Sequence, residues 1–173
     1  GFQAMNIAEV ITYNSTVNMA QTLVVHEYLA AKYGLDLVSA DGVINMYDHD
    51  PYTSDLIGVG KASDLAGSAG EEHLHATGGA LELKSDGFAS AGDFVLAAHN
   101  GAAFSEYANK VWSRMWYVKT AGDGGNVEMV FDFVSAGLTL ESAEGYMLSY
   151  SATGEDDWAD LGITPTKDGD KLV

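Results

Sequence analysis

Hydrophobic positions recur along this chain with two different periods. Near the start, Met19, Leu23, His26, Leu29 and Tyr33 fall at helical spacing. Asn18 precedes them as an N-cap, and Gln21 stands three residues further on, as in a capping box. Gly34 closes the run, with Lys32 in the last turn, where a cation complements the helix dipole. A helix is therefore predicted between Asn18 and Gly34. His26 lies on or beside the apolar stripe and reads as a packed histidine rather than a ligand. Ahead of the helix, residues 6–14 are rich in β-branched side chains and read as a strand ending in a turn at Asn14-Ser15.

Beyond the helix the period shortens to two. Phe94, Leu96 and Ala98 alternate with Asp93, Val95 and Ala97. Trp112, Arg114, Trp116 and Val118 share one face of the next run, read as the inward one. Val127, Met129, Phe131 and Phe133 alternate with Glu128, Val130 and Asp132, the pattern of a half-buried strand. Residues 121–126 read as a hairpin loop between these last two runs. Tyr146 to Tyr150 is a further strand, and Lys167 to Lys171 is a turn around Gly169 that leads into Leu172-Val173. Short strands, glycine turns and one early helix predict a mainly β fold, a β-sandwich or jelly-roll-like module with one N-terminal α-helix.

Composition narrows what such a fold could do. The 173 residues suit one domain or one domain plus a fragment, and 47% hydrophobic content excludes a disordered chain. With no cysteine there is no disulfide, no cysteine nucleophile and no zinc–thiolate site. No apolar run is long enough to span a membrane. Residues 1–5 lack a basic and apolar leader, so the chain is expected to be a piece of something longer.

The charge is more informative. Twenty-five acids against eight Lys+Arg give a net charge of −17, which argues against nucleic acid as a partner. Such a chain repels itself and gains from bound cations, and an excess of hard oxygen ligands favours Ca2+. The alternative is an acidic surface that serves solubility. Candidate calcium ligands are Asp48, Asp50 and Asp55 in the loop around Pro51, and Glu155, Asp156, Asp157 and Asp160 in the C-terminal run. Asp168 and Asp170 flank Gly169. No EF-hand pattern accompanies them.

Other motifs are weaker. Gly58-Val59-Gly60-Lys61 lacks the spacing of a phosphate loop, since Ser54 stands at the first glycine position and Ala62 follows the lysine, so it reads as a buried strand end. His73 and His75 would share a face if both lay on one strand, but no third metal ligand is visible. Arg114 between two tryptophans either stacks on an aromatic ring or pairs with a carboxylate. Arg114, Trp158 and Asp123 are the candidate ligand-binding residues. Trp112 and Trp116 read as buried, Trp158 as exposed. There is no nucleophile elbow, no H-E-x-x-H and no nucleotide fingerprint, so no catalytic residues are assigned.

Two resemblances add to this reading. Ile7-Ala8-Glu9-Val10-Ile11-Thr12-Tyr13-Asn14, followed by Tyr28-Leu29-Ala30-Ala31-Lys32-Tyr33-Gly34-Leu35, resembles the closing strand and exit helix of concanavalin-like (laminin-G-like) modules. Asp55-Leu56-Ile57-Gly58-Val59-Gly60, Asp93 to Gly101, Arg114 to Thr120 and Asp132-Phe133 follow in an order similar to a repeated module of large secreted and surface-displayed adhesin-like proteins of environmental bacteria. The first implies a division into residues 1–34 and a β-sandwich module over 35–173, packed as one unit. The second implies an all-β extracellular module with no established catalytic residues.

Together these features lead to one expectation and two alternatives. The expectation is a calcium-stabilised extracellular adhesion module that binds peptide or carbohydrate on another cell surface and packs against neighbouring domains of its parent protein. The alternatives are a structural stalk or filament subunit, and a polysaccharide-active enzyme.

Overall fold

The computed structural model describes residues 7–39, 42–43, 45–62, 70–104, 112–154 and 157–173. In chain order they form helix α1 (Met19–Tyr33) and strands β1 (Val38–Ser39), β2 (Gly42–Val43), β3 (Ser54–Lys61), β4 (Glu72–His73), β5 (His75–Gly78), β6 (Leu81–Ser85), β7 (Phe94–His99), β8 (Trp116–Ala121), β9 (Val127–Asp132), β10 (Ser149–Tyr150), β11 (Ala159–Asp160), β12 (Lys167–Asp168) and β13 (Lys171–Leu172). An antiparallel sheet in the order β4-β3-β7-β8 packs against a second in the order β12-β13-β9-β6-β5. Helix α1 covers the other face of the first sheet. The fold is thus a β-sandwich with one helix, as the alternation predicts. The β1-β2 and β10-β11 pairs are separate two-stranded ribbons.

Strand β7 is the centre of this stack, and all six of its residues are buried. Phe94, Leu96 and Ala98 meet Ala20 and Val24 of α1, whereas Val95 and Ala97 meet Leu81 and Leu83 of the opposing sheet. The alternation in the sequence therefore marks two cores rather than one wet and one dry face. Neighbouring β3 must let Phe94 and Leu96 pass. A Cβ at Gly60 would stand 2.1 Å from Phe94 Cδ1, and one at Gly58 would stand 2.7 Å from Leu96 Cδ2. These glycines are a packing device, in keeping with the strand reading of Gly58 to Lys61.

The capping box of α1 is formed: Asn18 Oδ1 accepts from the Gln21 N–H, and Gln21 Oε1 accepts from the Asn18 N–H, both at 2.9 Å. Gly34 adopts the left-handed cap conformation, with φ of 61°. The buried face differs from the predicted stripe. Ala20, Val24, Glu27 and Ala30 face inward, and His26 is exposed. Val24 comes within 3.2 Å of where a Cβ on Gly58 would stand, and the bulkier Met19 and Tyr33 are turned outward. Buried Glu27 accepts the backbone N–H groups of Met46 and Tyr47, both at 2.9 Å, and so pins the segment after β2 beneath the helix.

Four further expectations are corrected. Residues 7–13 form no strand; Glu9 instead holds this segment to α1 through Lys32, Tyr28 and Tyr33. Strand propensity without an edge to pair with does not make a strand. Strand β8 starts only at Trp116, with Arg114 outside it. The loop after β8 is not a hairpin: β8 pairs with β7 and β9 with β6, so residues 122–126 cross between sheets. Asp93 Oδ1 secures that crossing by accepting the Asp123 N–H at 3.1 Å. His73 and His75 lie on different sheets, because the chain changes layer at Leu74.

Candidate functional site

The β5-β6 hairpin turns on two residues, Gly79 and Ala80, with φ of 57° and 69°. A two-residue turn of this kind requires positive φ at both positions, which is unfavourable for alanine. Beside the turn, β3 has an irregular register between Ser54 and Ile57, and Asp55 takes a φ of 49°. Such irregularities redirect a side chain, and non-glycine residues at positive φ gather at functional sites. Ala80 and Asp55 both line a cleft of about 340 Å³, together with Thr77, Glu82, Arg114, Asp132 and Lys171.

On one wall, Asp55 Oδ2 accepts from His99 Nε2 at 2.9 Å, and His99 Nδ1 accepts from the Gly101 N–H at 3.0 Å. The second bond places the ring proton on Nε2, so both nitrogens are engaged and the histidine serves to orient the carboxylate. His99 is 3% exposed, whereas the Asp55 side chain is 58% exposed. Arg114 is held as firmly. Its Nε donates to the Ala102 carbonyl at 2.8 Å and its Nη1 donates to the Gly79 carbonyl at 3.2 Å. The guanidinium lies 4.0 Å from the Phe104 ring centroid, and Phe104 packs on Trp112 and Trp116. Burial lowers the Arg114 pKa, and the charge of Asp55 acts in the opposite direction.

On the other wall stands Glu82. Leu81 and Leu83 point between the sheets, so Glu82 projects from the outer face, where two lysines and a histidine cover it. Its carboxylate accepts from Lys171 at 2.7 Å and meets His75 at 2.5 Å and Lys84 at 3.4 Å. The Lys171 bond is the main reason its pKa is lowered to about 2, and the same bond raises that of Lys171. Asp132 accepts the Ser135 N–H at 2.9 Å.

Of the residues singled out in the sequence, Arg114 and Asp55 come together in this cleft. Arg114 stacks on Phe104 rather than on a tryptophan. Asp48 and Asp50 are exposed in the loop before β3. Asp157 accepts from Ser151 and Thr153, which lowers its pKa, and Asp160 accepts the Gly162 N–H. Asp168 and Asp170 are exposed at the β12-β13 hairpin, and Glu155 and Asp156 lie outside the described residues. Among the described residues, no three His, Asp or Glu side chains converge into a group that could hold a metal ion. Trp158 is exposed in the β10-β11 ribbon, while Trp112 and Trp116 belong to the aromatic core. Asp123 lies in the crossing loop and does not line the cleft.

Sequence reasoning missed Glu82, His99, Asp132 and Lys171. The available signals were one acid inside the Leu-Glu-Leu run of β6 and one histidine ending the apolar run of β7. No helix of the described residues is long and apolar enough to cross a membrane. No protein-family model matches the chain, and no curated protein or solved structure matches it.

Proposed function

We propose that this chain is a ligand-binding module of an extracellular, adhesion-type bacterial surface protein, and that the cleft lined by Asp55 and Arg114 is its binding site. The observation that carries the proposal is that two pre-set groups of opposite charge line one cavity. Asp55 is oriented by a buried histidine, and Arg114 is clamped by two carbonyls and an aromatic ring. Groups fixed before the ligand arrives lose little entropy on binding. The surface-protein resemblance supports the extracellular setting, and Ca2+ enters as a stabiliser of a chain at −17.

Screening the full chain against peptide and glycan arrays tests the proposal, with Asp55→Asn and Arg114→Gln as controls. Ligands retained by the wild type and lost by both variants are expected. Binding that neither substitution alters would refute the cleft as the site. For calcium, melting with millimolar Ca2+ and with chelator is compared; a higher Tm with the ion is expected, and identical curves refute that part.

A further inference from the structure

The groups left open in the cleft identify the class of ligand. We infer that it takes a small zwitterion of the amino-acid or dipeptide type, with its carboxylate on Arg114 and its ammonium on Asp55; this rests on the cleft being the binding site. Glu82 and Lys171 neutralise each other at 2.7 Å. The charges that remain are the Arg114 cation and the Asp55 and Asp132 carboxylates. Two guanidinium N–H groups are used on Ala102 and Gly79, and the rest of the fork stands at the cleft wall, suited to the two oxygens of a carboxylate. Asp55 uses one oxygen on His99 and accepts only, so its exposed remainder calls for a donor, and an ammonium is the strongest.

The alternatives fit less well. Among the described residues no aromatic ring lines the cleft, so a sugar finds nothing there to stack on. A polyanionic glycan would be repelled by a chain at −17, whereas an ammonium group brings the opposite charge. The volume of about 340 Å³ lies at the small end of ligand pockets and suits one or two amino-acid residues.

Amide-resolved NMR titration of the full chain with glycylglycine, its N-acetyl form and its C-terminal amide tests the inference, with a neutral disaccharide as a fourth probe. Wild type is expected to bind the free dipeptide about tenfold more tightly than either capped form. Arg114→Gln should erase the preference over the amide, and Asp55→Asn the preference over the N-acetyl form. Equal binding of free and capped dipeptides, or cleft shifts with the disaccharide alone, overturns the zwitterion and leaves the cleft reading standing. No shift at the amides of Asp55, Gly79 or Arg114 with any probe overturns both. The wild-type comparison decides by itself if a variant loses its dispersed spectrum.

Discussion

Replacing Glu82 with glutamine removes a charge from a buried carboxylate while keeping its size. Glu82 is 5% exposed and has Lys171, His75 and Lys84 around it. Lowering its pKa from 4.5 to about 2 corresponds to about 3 kcal/mol at neutral pH. All three partners are more than a third exposed, and solvent screening reduces the expected loss to about 2 kcal/mol. For a chain of this length that is a fall in Tm of roughly 4–8 °C. The folded-state pKa is depressed, so the stabilisation is present above pH 4.5 and disappears as pH falls through 4.5 toward 2. Denaturant melts of wild type and Glu82→Gln at a series of pH values from neutral to strongly acid would measure the gap directly. It should be full near neutrality and close in acid. A gap that does not change with pH, or none at neutral pH, would refute the view that Glu82 stabilises the fold through its charge.

Three other substitutions probe the supports of the site. Gly60→Ala places a methyl group against the Phe94 ring and should cost about 1–3 kcal/mol by overpacking, read as a lower denaturation midpoint; an unchanged midpoint would mean the strands part easily. Glu27→Ala strands the N–H groups of Met46 and Tyr47 and should cost about 2–5 kcal/mol, with faster hydrogen exchange at those two amides; unaltered exchange would count against it. Asn18→Ala removes the N-cap and should cost about 1 kcal/mol, with exchange protection lost at Gln21; full protection there would mean the cap contributes nothing.

Much of the fold was legible because the informative residues act locally. Asn18 and Gln21 close a capping box within four residues, and Gly34 ends the helix by its own conformation. The alternation through Phe94 to Ala98 reports a strand wherever that strand ends up. What the alternation could not reveal is that both faces of β7 are dry, because that depends on α1 lying over one of them. The helix face was misread for the same reason: large side chains outscored small ones, but the face that meets β3 is made by Ala20, Val24, Glu27 and Ala30.

The candidate site was legible only in part, through Arg114 and Asp55. Its other members come from β6, β7, β9 and β13, and nothing along the chain links Glu82 to Lys171, 89 positions away. The acids that looked most suggestive were those crowded together in sequence; of the described ones, Asp48, Asp50, Asp168 and Asp170 are exposed. The sequence alone determined the helix, the strand-rich class, the glycine turns and the surplus of negative charge, since each depends on a residue and its immediate neighbours. Which carboxylate is buried, which is aimed by a histidine and which shares a cleft with a guanidinium were decided by the tertiary structure, because burial and electrostatic partnership exist only once distant segments meet.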